Sequence, residues 1–468
     1  MRDFKRTMSQ EPINTTTRRQ FLKTTSGLVA ATAVTGLSIP NVHADGDEEI
    51  RVALVGCGGR GSGAAVNALA TSKQGPVKLV AMADVFEDRL KGSYDGLVKY
   101  VGKQMDVPQE RRFVGFDAYK KAMDSLRPGD VVILTTPPAF RWVHYQYAIS
   151  KKLNVFMEKP VTVDGPTSKR MLELNEQAKA AGIKVGVGLM SRHMLGMQEL
   201  RKRVQDGELG EIVLMRGYRM HGPAATFEST PKPAEMSDLE YQIRRFHSYL
   251  WASGGCFNDF YIHIVDHLSW IKGALPVSAQ GVGGRHFKQS SEGQPFVDQN
   301  FDSYGIEYTY ADGTKMFFDG RCINNTRGHF ASYLHGTKGS GIASRANDCG
   351  GPSATFKGHN MTPENLIWEA KGDTNPYQNE WDVLIDCIRN NKPHNEVQAG
   401  VEASMISNMG RMAAHTGQEI TWDAMLNCEH EFAPMVADLT KGGPAPLMPD
   451  ASGKYPQPQP GLKQLREF

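Results

Sequence analysis

Ile50-Arg51-Val52-Ala53-Leu54-Val55-Gly56-Cys57-Gly58-Gly59-Arg60-Gly61 is the stretch that decides the fold. An apolar run of strand length ends at a glycine-rich turn, and a small-residue helical pattern (Ala64, Ala65, Val66, Ala68, Leu69) follows. Strand, turn and helix in that order open a dinucleotide-binding βαβ unit. Gly56 lets the chain turn, Gly58 lets backbone amides approach a pyrophosphate, and Gly61 permits close helix–strand packing; Gly59 and Arg60 complete the turn, and the helix N-terminus faces the phosphates. A second apolar run, residues 77–83, stops at Asp84, 23 residues beyond Gly61. A carboxylate there accepts the adenosine ribose hydroxyls and repels a 2′-phosphate, so the sequence predicts NAD rather than NADP. A helix N-cap is the alternative role for Asp84.

Further strands are predicted at residues 131–134, 155–157 and 183–187, separated by segments of helix length, which implies a parallel sheet with right-handed crossovers. Thr135-Thr136-Pro137-Pro138 closes one of these strands and Glu158-Lys159-Pro160 another; strand C-termini at the sheet crevice are where such folds hold ligands. Thr135, Pro137, Glu158 and Lys159 therefore join the expected cofactor contacts, with a plain structural turn the alternative for the first two. Beyond about residue 210 the pattern alternates, as in Tyr304-Gly305-Ile306-Glu307-Tyr308-Thr309-Tyr310 and Lys315-Met316-Phe317-Phe318, and Ala311-Asp312-Gly313-Thr314 between them supplies an Asp-Gly hairpin turn. The fold class read here is α/β: an N-terminal Rossmann domain plus a C-terminal α+β domain with a large, mainly antiparallel sheet. The divisions fall at residues 1–44 (signal), 45–190 (NAD-binding), 191–425 (substrate-binding) and 426–468 (extended tail), with late helices at 378–390 and 398–415 packing back on the first domain. The Pro-rich stretch 444–460 and the segment 46–51 are the two candidates for a cover over the cofactor.

The 468 residues imply at least two packed cores, and 40% hydrophobic with 22% charged residues is an ordinary globular composition. The net charge of +2 hides an asymmetry: residues 1–44 carry +4 and the remainder −2, so the body has no basic field for nucleic acid. The first segment reads as a twin-arginine export signal: Thr17-Arg18-Arg19-Gln20-Phe21-Leu22-Lys23, a weakly apolar run over 27–39 too short to span a bilayer, then Val42-His43-Ala44 with cleavage after Ala44. That predicts passage through the twin-arginine translocase, a periplasmic location and no stable membrane insertion. Six cysteines show no C-x-x-C pair, so neither a zinc ribbon nor a disulfide framework is signalled.

The Gly56–Gly61 turn, Glu158-Lys159-Pro160, Asp206-Gly207-Glu208-Leu209-Gly210-Glu211-Ile212 and Ser253-Gly254-Gly255-Cys256-Phe257-Asn258-Asp259-Phe260-Tyr261-Ile262-His263 together resemble the glucose–fructose oxidoreductase, inositol dehydrogenase and rhizopine-catabolism (Gfo/Idh/MocA) oxidoreductases. The resemblance covers nearly all of residues 50–425, exported members included. It departs at Ser253 and Tyr261, where family members carry a third glycine and a small residue. It implies that Lys159, Asp259 and His263 form the substrate-side catalytic site, and that Arg192 and His193 contact substrate. Independently, hydride transfer at an alcohol needs a base for the departing proton, which a histidine suits, and a donor to hold the oxygen, which a lysine suits. Asp259 and His263 are four apart and share one face of a helix, where Asp259 would orient the imidazole; a purely structural i,i+4 pair is the alternative. Trp251 is a candidate to stack on a sugar or to fill the core; His267 is a substrate-side candidate, and His144 reads as a helix-surface residue. No metal is expected, since nicotinamide chemistry brings its own electrophile and no H-E-x-x-H spacing is present. The expected activity is NAD(P)-dependent oxidoreduction of a sugar, polyol or glycoside hydroxyl with tightly bound NAD(H). The alternative is a redox-neutral glycoside hydrolase that uses bound NAD through a transient keto-sugar. The resemblance further implies a homo-oligomer, dimer or tetramer.

Overall fold

The computed structural model describes residues 48–468 except Cys349, Asp373, Thr374 and Leu465; the export-signal residues lie outside it. The first half of the chain alternates strand and helix: β1 (Ile50–Val55), α1 (Gly59–Ala70), β2 (Val77–Asp84), α2 (Glu87–Val101), β3 (Arg112–Val114), α3 (Ala118–Asp124), β4 (Val131–Leu134), α4 (Arg141–Ser150), β5 (Asn154–Met157), α5 (Gly165–Ala180) and β6 (Val185–Val187). All six strands are parallel, in the order β3-β2-β1-β4-β5-β6. Helices on both faces bury β4 and β5 completely, which is why they read as unbroken apolar runs. The order reverses between β1 and β4, and a ligand crevice opens there, beyond the strands' C-terminal ends. β3, three half-exposed residues long, carries no sequence signal strong enough to predict.

The second half comprises α6 (Leu195–Gln205), β7 (Ile212–His221), α7 (Asp238–Arg244), α8 (Leu250–Ser253), a π-helical turn (Phe257–Tyr261), α9 (Ile262–Lys272), β8 (Pro276–Gly284), β9 (Ser303–Tyr310), β10 (Lys315–Cys322), β11 (His329–Gly336), β12 (Gly339–Ser344), β13 (Ala354–Lys357), β14 (Leu366–Glu369), α10 (Pro376–Arg389), α11 (Val397–Thr416), β15 (Ile420–Thr421) and α12 (Trp422–Leu426). Its nine strands run β14-β13-β12-β11-β7-β10-β9-β8-β15, antiparallel throughout except for β7 beside β10. This is the α/β architecture expected, a parallel Rossmann sheet with a second, mainly antiparallel one. Asp312-Gly313 turns β9 into β10, with Thr314 N–H bonded to Asp312 Oδ1 at 3.0 Å and Gly313 at φ +84°. Alternate residues of β9 are buried against α9 and α11, the inward face of a one-sided sheet. No helix among the described residues is long and apolar enough to cross a membrane.

Helix α11 joins the two sheets, and α10 covers the first. α10 lies on α1 and β6, where Trp381 stacks on Phe156 of β5 at 4.4 Å between ring centroids; α11 packs on α5 and also on β8 and β9. Trp381 is fully buried, so Trp381→Ala removes a large side chain that its neighbours cannot replace. The expected loss is about 3–5 kcal/mol of unfolding free energy by urea titration. A loss below about 1 kcal/mol would contradict the packing described.

Candidate active site

The glycine-rich turn is fixed by collisions that any side chain would cause. Gly56 sits at φ +98°, and a Cβ there would lie 2.7 Å from the Thr135 carbonyl carbon and the Thr136 nitrogen; a Cβ on Gly61 would lie 2.1 Å from Gly56 O. Gly59 has nothing within 4 Å of its Cβ position and Gly58 only Arg89 Nη1 at 3.9 Å. The tight half of the turn packs on β4 while the other half lies open at the N-terminus of α1, as a pyrophosphate requires. Thr135 Oγ1 donates to Gly56 O at 2.7 Å and so ties the turn to the end of β4. Asp84 accepts the Cys57 N–H at 2.7 Å and the Phe86 N–H at 2.9 Å, one on each carboxylate oxygen. It therefore clamps turn to strand, and each oxygen keeps a second lone pair. The N-cap of α2 is Phe86, so Asp84 does not cap that helix. Burial raises its pKa, opposed by those two amides and by Arg89.

A pocket of about 860 Å³, its open mouth included, extends from this turn over the ends of β1, β2 and β4. Gly58, Asp84, Thr135 and Pro137 line it, as do Arg89 and His144. His144 is a correction to the sequence reading: it is buried, its Nδ1 lies 3.1 Å from Thr136 Oγ1, its ring lies against Tyr119, and burial followed by the Arg141 cation pushes its pKa down to about 3. Arg141, fully buried, donates to the carbonyls of Leu134 and Thr136 and shapes the same turn.

On the other side of the crevice, Lys159 leaves the end of β5 and its Nζ donates to the backbone carbonyl of Asp259 at 2.6 Å, with the Asp259 carboxylate 3.9 Å away. The Asp259 carboxylate also meets His247 Nε2 at 3.2 Å, and His247 Nδ1 lies 2.8 Å from Thr226 Oγ1. Burial works against the Asp259 anion, but the Lys159 charge and the His247 hydrogen bond hold its pKa at about 2. His263 is driven well below its ordinary value by burial, then by the cations of Lys159 and Arg219, and is neutral. Asp259 lies in the π-helical turn, not on a regular α-helix, and pairs with His247; the expected orientation of His263 by Asp259 is not what the structure holds. Arg219 of β7 reaches the Phe260 carbonyl and, at 2.9 Å, Asp348 of the β12–β13 loop. Sequence reasoning missed His247 and Asp348 because neither shares a motif with Asp259; only the aromatic neighbours Phe246 and Phe260, which sandwich the His247 ring, hint at its place.

Other sequence candidates are occupied elsewhere. Arg192 spans Asp266 with two bonds, 3.0 and 2.5 Å, and His193 Nε2 lies 2.9 Å from Glu396 Oε1. Trp251 is fully buried, donates its indole N–H to Gln242 at 2.7 Å and packs on Phe140, so it offers no face to a sugar. His267 is also fully buried, with Nε2 at 2.7 Å from Ser332 Oγ of β11, and lies on the core side of α9. Arg60 Nε lies 3.0 Å from Glu158 Oε1 and its guanidinium stacks over Tyr377. Glu158 packs against Gly188, where a Cβ would come within 2.5 Å of Oε2.

Behind Glu158, Glu380 of α10 is buried with neither carboxyl oxygen hydrogen-bonded among the described residues. Burial, then the Glu158 charge, raises its pKa well above the ordinary value. The native state keeps a proton that the unfolded chain loses above about pH 4.3, so this group lowers stability as pH rises from there. Glu380→Gln is expected to flatten the decline in melting temperature between about pH 5 and 8. A decline equal to that of the wild type contradicts the assignment.

Residues 197–341 match the family profile described as the GFO/IDH/MocA C-terminal domain. The chain is 24% identical to the inositol 2-dehydrogenase of Rhizobium meliloti (strain 1021) over 72% of this chain and 88% of that enzyme. It is 27% identical to the scyllo-inositol 2-dehydrogenase (NAD(+)) of Bacillus subtilis (strain 168) over 51% of this chain and 58% of that one. The fold matches the crystal structure of scyllo-inositol dehydrogenase from Lactobacillus casei with bound NAD(H) and scyllo-inositol: TM-score 0.57, 18% identity, 80% of this chain and 100% of that chain covered. The profile match is confined to the second half of the chain, and the likeness to the solved structure is one of fold.

Proposed function

We propose that the chain is a Gfo/Idh/MocA-family oxidoreductase that uses NAD to oxidise or reduce a CH–OH group of a sugar or polyol. The observation that carries this reading is the convergence of Lys159, at the end of β5, with Asp259 of the second domain, across the crevice that the glycine-rich turn opens. The turn fits a dinucleotide: space over Gly58 and Gly59 for phosphates, acceptor lone pairs on Asp84 for the ribose, and an apolar pocket for the adenine. Bound NAD supplies the hydride acceptor for the carbinol carbon.

The protein's own groups manage the proton and the oxygen. Lys159 spends one N–H on Asp259 O and keeps two to hold the substrate oxygen and stabilise negative charge as the hydroxyl proton leaves. Neutral His263 offers a lone pair for that proton. The Asp259 anion, braced by His247, offsets the Lys159 charge and fixes the ammonium in place. His247 is thus a positioning residue that acts through Asp259.

We also place the protein in the periplasm, exported through the twin-arginine translocase with its cofactor bound, on the strength of Arg18-Arg19 and the segment that follows. An exported enzyme meets little free NAD, so retention is part of this reading. The outer face of the nine-stranded sheet, where Val282 and Phe317 stand exposed, is the face assigned to self-association.

Lys159→Ala is expected to lower turnover by at least about a hundredfold while leaving the circular dichroism spectrum intact. It is read on whichever alcohol gives the highest rate in a panel of inositols, aldoses and aryl glycosides; unaltered turnover refutes the role. A second outcome separates chemistries: release of aglycone with no net change in nicotinamide redox state identifies the hydrolase alternative.

Arg89 borders the same pocket as Asp84, so removing the carboxylate leaves a cation where a 2′-phosphate would sit. Asp84→Ser is expected to shift the NADP-to-NAD affinity ratio toward NADP by at least about tenfold, measured by calorimetry. An unchanged ratio contradicts the ribose assignment.

A further inference from the structure

Part of the wall of the dinucleotide pocket comes from the far end of the chain. Val436, Ala437 and Leu439 line it together with Phe86, Ile243 and Phe246. These residues precede the Pro-rich stretch predicted as a cover. The other predicted cover, residues 46–51, is described only from Glu48, and Ile50 already opens the central strand β1.

The segment that carries this wall is tied down at several points on either side of it. At its start, Glu431 receives two bonds from Arg170 of α5, at 2.7 and 3.1 Å, and the Phe432 N–H donates to Asp164 at 2.9 Å. Past the wall, Gln242 donates to Leu447 O at 2.7 Å, Tyr455 to Asp238 at 2.8 Å, and Gln299 to Pro456 O at 2.6 Å. Gly461 N–H reaches Thr416 O at 2.9 Å. The penultimate residue then enters the core. Glu467 accepts two bonds of 2.9 Å from fully buried Arg411 of α11 and lies 2.7 Å from His415 Nδ1. Phe468 returns to the origin of the segment, its ring 4.9 Å from that of Phe432. The segment is a loop closed on itself, with the pocket wall on its path and a buried ion pair at its end. A buried pair of this kind resists opening, because separating it strands a charge in the core.

We propose that residues 427–468 form a cofactor-retaining strap, in which Val436, Ala437 and Leu439 bind the adenosine half of the dinucleotide and the Arg411–Glu467–His415 lock keeps them in place. This rests on the reading of the pocket as an NAD site. The dinucleotide then leaves only when the strap opens, so release is slow and the bound molecule serves successive turnovers. By linkage, the bound dinucleotide holds the strap shut by the same factor.

The test uses the full chain and 1,N6-etheno-NAD, whose fluorescence reports release on dilution into excess NAD. Two variants act at separate points, Val436→Ser with Leu439→Ser on the wall and Glu467→Gln at the lock. Each is expected to speed release by at least about tenfold. In the wild type, NAD is expected to slow tryptic cleavage at Lys441, in the exposed turn after the wall, several-fold. Should Glu467→Gln fail to fold, the wall variant decides alone. Folded variants that release the probe at the wild-type rate overturn the strap and leave the cofactor reading standing; a wild type that carries no dinucleotide as purified and binds neither NAD nor the probe overturns the cofactor reading and the strap with it.

Discussion

The Lys159 ammonium, 2.6 Å from the Asp259 backbone carbonyl and 3.9 Å from its carboxylate, is the contact on which the site depends. The lysine ends a strand of the parallel sheet and the aspartate belongs to the helical segment laid on the second sheet, so the site exists only where the two lobes meet. The meeting is made rigid elsewhere, by α11, which packs on α5 and β6 on one side and on β8 and β9 on the other. Two hydrogen-bonded groups can be held in one geometry across two cores only if those cores share such struts.

Charge is distributed around this contact with little redundancy. Asp259 carries the anion, stabilised by Lys159 and His247, while His263 is kept neutral by burial and by the cations of Lys159 and Arg219. One group is thus held ionised and the other neutral at the same crevice. The π-helical turn at Phe257–Tyr261 carries Asp259 toward Lys159 and His247, while His263 lies in the first turn of the regular helix after it. One such turn inside a helical segment is a recurrent feature of functional sites.

The parts legible in the sequence are those whose chemistry is local. The spacing of Gly56, Gly58 and Gly61 after an apolar strand, Asp84 at the next strand's end, and Lys159 directly after β5 each encode a position on the sheet within a few residues. Trp251 and His267 misled because sequence spacing does not reveal how deep a helix lies: both face the core, His267 toward Ser332 and Trp251 toward Gln242 and Phe140. His144 misled in the opposite direction, for a polar residue on an amphipathic helix reads as solvent-facing unless the pocket beside it is known. His247 and the terminal Glu467 were invisible because their partners, Asp259 and Arg411, lie on other elements, and composition shows only that the tail is extended, not what it crosses.

The most direct test of the central claim follows one hydrogen. The protein is incubated with NAD and with inositols and aldoses carrying deuterium on their carbinol carbons, and the dinucleotide is analysed by mass spectrometry after a single turnover. Hydride transfer at the crevice predicts one deuterium on the nicotinamide ring with the wild type and none with Lys159→Ala in the same interval. A reduced dinucleotide without label, or label transfer that survives the loss of Lys159, would contradict it.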